Sequence, residues 1–101
     1  MNETYIVIPD DFFKTETMKG LRLEDNGAEA TVIYLKLALM QKSCENQIAT
    51  TDGIAALAEK LDEDPDTFEE ALLTLAEYEL AEAGINGDYV YIKVTMPYDV
   101  E

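Results

Sequence analysis

The sequence predicts a small single-domain α+β fold spanning residues 1 to 101. Three observations lead there. The chain has 101 residues, 48% of them hydrophobic, enough for one core and no more. Two apolar-periodic helical stretches meet at Asp64-Pro65, and directly after them two β-rich runs are joined through Asn86-Gly87-Asp88, a strong hairpin signal. Helix, turn, helix and hairpin in that order make a winged helix-turn-helix domain, here with an N-terminal strand, about four helices and a C-terminal β-hairpin wing.

Each element has a local cause. Tyr5 to Ile8 (YIVI) is a short β-rich run, and Pro9, which has no N–H for a ladder, ends it. Asp10 or Asp11 is positioned to cap a helix reaching about Leu21, with Phe12, Phe13, Met18 and Leu21 as its apolar positions. Glu24-Asp25-Asn26-Gly27 breaks that helix, because Asn-Gly favours a tight turn. From Ala28 to about Lys42 the chain is apolar on almost every side, the pattern of a central buried helix. Gln47 to Ala49 reads as a strand of two or three residues. Thr50, Thr51 or Asp52 then caps a helix to about Leu61, with Ile54, Leu57, Ala58 and Leu61 on one face. Asp64 caps the next helix, Pro65 occupies its first position, where a missing N–H costs nothing, and the helix runs to about Tyr78. Leu80 to Ile85 and Tyr89 to Val94 supply the hairpin strands.

Charge is distributed very unevenly over this frame. The net charge is −15, from 22 acidic and 7 basic residues. Residues 1 to 42 hold seven acids against five bases, a balance of −2; residues 43 to 101 hold fifteen against Lys60 and Lys93, a balance of −13. Between Lys60 and Lys93 there are ten acids and no base: Asp62, Glu63, Asp64, Asp66, Glu69, Glu70, Glu77, Glu79, Glu82 and Asp88. DNA affinity comes largely from Lys and Arg neutralising phosphates, so this surface repels a duplex over roughly a Debye length, ~8 Å at physiological salt. Direct nucleic-acid binding is not expected, and a protein with a basic surface is the natural counterpart.

Other functions find little support. Asp62, Asp64 and Asp66 alternate like the opening of a calcium loop, but the sixth and twelfth positions are Thr67 and Leu73 instead of Gly and Glu. With one Cys and no His, zinc has no ligand set, and no cofactor or metal is expected. Cys44 and Ser43 lack an activating His, and no glycine pattern forms a phosphate loop, so no enzyme activity is expected. The most apolar window, TVIYLKLALM, is about half the ~20 residues a membrane span needs. The lone Cys44 and the lack of a visible secretory signal fit a reducing cytoplasm.

The segments YIVIPDDFF, VIYLKLALMQKS, LAEKLDEDPDTFEEALLTLAEYEL and YVYIKV, in this order and spacing, resemble the N-terminal domain of phage replisome organiser proteins, a DnaD-like winged-helix group. The resemblance covers residues 5 to 94. It implies a role in self-association or partner contacts, hence a possible homo-oligomer, in the cytoplasm of a bacterial host. The chain departs from the family pattern in three ways: it ends at Glu101 before any second domain, it carries Glu79 where the family commonly has Gly, and its second half is nearly free of bases.

The candidate partner-binding residues follow from helical and strand periodicity. At about 100° per residue, Phe68, Leu72, Leu75 and Tyr78 fall on one side of the last helix, while Asp66, Glu69, Glu70 and Glu77 fall on the other with Leu73 among them. Alternation along the last strand turns Val90, Ile92 and Val94 inward and Tyr89, Tyr91 and Lys93 outward. Asp62, Asp64 and Asp88 extend the acidic surface to both ends. Four readings of this surface stand: a solvated face with Leu73 as an ordinary exposed residue, a protein-interaction module, an acidic DNA mimic of the anti-CRISPR or antirepressor type that occupies a nucleic-acid-binding groove, and, least expected from the charge, a DNA-reading transcription factor.

Overall fold

A computed structural model describes residues 5–44 and 48–99. Its elements are a 3-10 turn Phe12–Lys14, α1 (Glu16–Arg22), α2 (Gly27–Ser43), β1 (Ile48–Thr50), α3 (Ile54–Lys60), α4 (Pro65–Glu77), β2 (Ala81–Asn86), β3 (Tyr89–Val94) and a closing 3-10 turn Pro97–Asp99. The three strands form an antiparallel sheet in the order β1-β3-β2. This is the α+β, winged helix-turn-helix arrangement: α3 and α4 are the helix-turn-helix, and β2 and β3 are the wing.

The N-terminal segment differs from the expectation. Tyr5 to Ile8 makes no strand; the third strand beside the hairpin is Ile48–Thr50, paired with β3 as Ile48↔Ile92, Ala49↔Tyr91 and Thr50↔Val90. Gln47, placed in that strand from the sequence, lies outside the described residues. The first helix is also shorter than its apolar pattern suggested. Thr15 interrupts it, its hydroxyl donating to the Phe12 carbonyl at 2.9 Å and accepting from the Met18 N–H at 3.2 Å, so that a 3-10 turn precedes α1.

The core is built from one face of each helix against the inner face of β3. Phe12, Met18, Leu21, Ile33, Tyr34, Leu37, Leu57, Phe68, Leu72, Leu75, Val90 and Ile92 are all buried. Two polar side chains tie α2 to β3 within this core. The N–H of Thr95 donates to Leu80 on the β2 side, so the N–H and C=O of Val94 point to the opposite edge. There the buried Gln41 carboxamide takes both, accepting from Val94 N–H at 2.5 Å and donating to Val94 C=O at 2.8 Å. The buried Tyr34 hydroxyl donates to the Thr95 carbonyl, and its ring stacks on Phe12 with centroids 5.9 Å apart. Burial, followed by the charge of Asp99, pushes the Tyr34 phenol far above its ordinary value.

Helix α2 is not buried all round, as its composition suggested. Its core face is Ala30, Ile33, Tyr34, Leu37, Ala38 and Gln41, while Val32 and Leu39 are 48% and 38% exposed on the other side. The helix is apolar on two opposite faces; the fold buries one and covers the other only in part, where Leu35 packs against the core. No helix among the described residues is long and apolar enough to cross a membrane.

Candidate functional site

The acidic surface is set by how α3 and α4 begin and end. Helix α3 is not capped by Thr50, Thr51 or Asp52. Thr50 is held in β1 and its hydroxyl accepts from Asp52 N–H, so Gly53 becomes the N-cap at φ 91, a backbone angle that glycine adopts without a Cβ penalty. The N–H of Gly53 donates to the Asp88 carbonyl at 2.9 Å, which anchors the wing tip to the start of α3.

Both helices of the pair close on a left-handed residue. After α3, Asp62 has φ 58, its N–H donates to Glu59 C=O and the next N–H, of Glu63, donates back to Ala58 C=O. After α4, Glu79 has φ 59, its N–H donates to Ala76 C=O and the N–H of Leu80 to Leu75 C=O. Each set is a Schellman closure, in which a reversed residue lets two N–H groups satisfy the last free carbonyls of the helix. The buried pair Leu75 and Leu80 completes the second one. Glu79 thus occupies the position where the resembled family commonly has Gly, in a conformation that favours Gly.

The turn between the helices is fixed from below by Lys36 of α2. Its ammonium donates to the Leu61 carbonyl at 2.8 Å and pairs with Glu63 at 2.5 Å, the one ion pair among the described residues. Asp64 then caps α4 as expected, its carboxylate accepting from the N–H groups of Asp66 and Thr67 at 3.1 Å each. That carboxylate is a helix cap. No group of three or more metal-ligating side chains comes together among the described residues.

The sequence-derived candidates fall into two groups. At the helix-turn-helix, Asp62 and Asp64 line a groove of about 540 Å³ together with Glu59 and Glu63, and along α4 the residues Asp66, Glu69, Glu70 and Glu77 are all exposed. Leu73 stands 65% exposed on the same side, while Phe68, Leu72 and Leu75 are buried on the other. At the wing, Asp88 and Tyr89 are exposed beside the two-residue turn Gly87-Asp88, with Gly87 at φ 63 as a type II′ turn requires. Tyr91 lies between Ala49 and Gly84 on the flanking strands and is half-buried, so its face is narrower than strand alternation suggested. The wing tip is roughly 17 Å along β2 from the end of α4 at ~3.3 Å per residue, and its neighbour is Gly53 of α3.

Several contacts were not singled out from the sequence. Tyr78, expected on the core side, is half-buried and donates to Gly20 C=O at 3.1 Å and to the Glu24 carboxylate at 2.5 Å; that carboxylate raises its pKa. Asn26 and Thr74 exchange hydrogen bonds at 3.0 and 3.2 Å, joining the turn before α2 to α4. Glu79, Glu82, Asp99 and Lys93 line a groove of about 700 Å³ beneath the wing, closed at its base by Gln41, Val94 and Met96. No family model, curated protein or solved structure matches this chain.

Proposed function

We propose that this chain is a non-catalytic winged-helix interaction module that binds a protein with a basic surface, and not DNA, through the outer face of α4. The exposed outer face of α4 carries the reading: the helix that this fold ordinarily presents to a duplex bears Asp66, Glu69, Glu70 and Glu77 around the 65% exposed Leu73. An apolar anchor ringed by charge of one sign selects a partner of the opposite sign, and the same charge excludes nucleic acid. The likeness of residues 5 to 94 to replisome organiser N-terminal domains supports a partner-docking role in phage replication. Capture from a bacterial lysate, with Leu73→Glu and Glu69→Lys/Glu70→Lys chains as controls, tests the reading. At least one basic protein is expected to be retained by the wild type and lost by both variants. An identical set on all three chains would remove α4 as the docking face.

A second reading has its own support in the spacing of the carboxylates. Asp66, Glu69 and Glu70 lie within about 6 Å of helix rise, a density comparable to phosphates ~3.4 Å apart along a DNA strand. As a DNA mimic, the chain would release its captured partner when excess duplex DNA is added and when salt is raised. Retention under both conditions argues for docking outside a nucleic-acid groove.

A further inference from the structure

The outward face of α2 is only partly covered within the fold: Leu35 packs half-buried against the core and the Lys42 ammonium lies 5.4 Å from the centre of the Tyr5 ring, while Ala28, Val32 and Leu39 stay open. Ala28, Val32, Leu35, Leu39 and Lys42 follow one another at spacings of four, three, four and three residues, which places them in an arc of about 80° along the helix. Val32 and Leu39 are 48% and 38% exposed, Ala28 and Lys42 are exposed and Leu35 is half-buried. A spacing of this kind is the seam of a two-helix coiled coil. It accounts for the apolarity of α2 on two sides: one face is core, and the other is a seam.

We propose that this seam pairs with the same seam of a second copy, in antiparallel register about a two-fold axis. The register follows from the side chains. Setting Val32 against Leu35 of the second copy puts Leu39 against Ala28 and Lys42 against Asp25, and the two-fold repeats each pair in reverse. Both ends therefore match in charge, Asp25 in the turn before α2 facing Lys42 in its last turn. A parallel pair would instead bring Lys42 to Lys42. Where Leu39 of the second copy meets Ala28, the surface offers a groove of about 460 Å³ lined by Phe13, Arg22, Ala28 and Thr31. The long-range field agrees: the seam lies in the half of the chain whose balance is only −2, so the two −13 halves can face away from each other. A pair of molecules joined this way carries two copies of the α4 face, which makes any docking there bivalent.

The two interfaces respond oppositely to salt. Self-pairing joins two chains of net charge −15, so screening strengthens it, whereas docking of a basic protein on α4 weakens with salt. Sedimentation velocity from about 1 to 200 µM, at about 0.1 and 0.5 M NaCl, tests the seam. A dimer is expected to accumulate with concentration and more readily at the higher salt. Val32→Glu and Leu39→Glu, both at exposed positions, are expected to return monomers with an unchanged circular dichroism spectrum. Asp25→Lys or Lys42→Glu alone should weaken the dimer at least several-fold, and the two together should restore it. A monomer throughout that range, a dimer indifferent to Val32→Glu, or singles and double mutants that weaken alike would each overturn the pairing. Leu73→Glu leaves it intact, so failure of the seam and failure of the α4 reading are separate results.

Discussion

Glu79 and Asp62 show where residue type and backbone conformation disagree. Both sit at positive φ, 59 and 58, where an L-residue costs roughly 1–2 kcal/mol relative to the right-handed form. Asp tolerates this conformation better than Glu, because its short side chain bonds locally. Replacing Glu79 with Gly relieves the strain while adding unfolded-state entropy, so the expected net gain is about 0.5–1 kcal/mol, with a smaller gain for Asp62→Gly. Urea midpoints at constant slope measure it. Glu79→Gln removes the charge but not the backbone problem; if it matches the glycine variant, repulsion among the acids and not φ is the cause. Position 79 also explains what the sequence could reveal. Asn86-Gly87 announces its turn because Gly is the residue for positive φ, and Asp64-Pro65 announces a helix start through side-chain chemistry. Glu79 and Asp62 offer no such signal, since neighbouring backbone hydrogen bonds impose their conformation. Gly53 could have been recognised as the cap of α3 only by knowing that the wing tip comes to its N–H.

At the scale of elements, the junction of α2 with β3 decides whether helices and sheet form one core. Gln41 and Tyr34 make it, reaching Val94 and Thr95 more than fifty residues away in the sequence. Only half of this was legible. Gln41 falls on the same face as Ile33, Tyr34 and Leu37, so a polar residue at a core position was visible, but its partner across the sheet was not. The mirror case is Tyr5 to Ile8, whose β propensity is real yet makes no strand, while Ile48–Thr50 takes the place beside β3. The Tyr34 hydroxyl gives the junction a pH signature. Its phenol is raised above the ordinary value near 10, chiefly by burial, so the folded state holds a proton that the unfolded state releases. This contribution is fully present below about pH 10 and is lost as pH rises from there toward the folded value. Tyr34→Phe should cost about 1–2 kcal/mol at neutral pH, by leaving the Thr95 carbonyl short of a donor, and should flatten the alkaline limb. Chemical denaturation of both chains between pH 8 and 11 gives the difference curve, and parallel curves would show that Tyr34 ionises as freely in the fold as outside it.

Across the whole molecule, 22 acids and 7 bases make one ion pair among the described residues, Lys36 with Glu63, so the remaining carboxylates act mainly through their summed field. The direction of that field was readable from composition, and its location from helical periodicity: Glu69, Glu70 and Leu73 stand on the outer face of α4 where the wheel put them. What periodicity misjudged was α2, because an apolar residue on every side fits both a helix buried all round and one with a core face and an open face; only the packing of α1, α4 and β3 against one side separates them. The field itself predicts a salt response. Fifteen uncompensated negative charges on a chain whose Cα radius of gyration is 13.1 Å lie within a Debye length or two of each other at low ionic strength, and folding brings them closer than the unfolded chain does. The thermal midpoint should therefore rise between about 0.02 and 0.5 M NaCl, as the screening length falls from roughly 20 Å to below 5 Å. Because self-pairing also strengthens with salt, the measurement belongs on the Val32→Glu chain at low micromolar concentration, where dissociation contributes nothing. A midpoint that stays level on that chain would mean that the fold already spaces its carboxylates far enough apart for water alone to screen them, and the acidic face would then carry no stored repulsion for a basic partner to relieve.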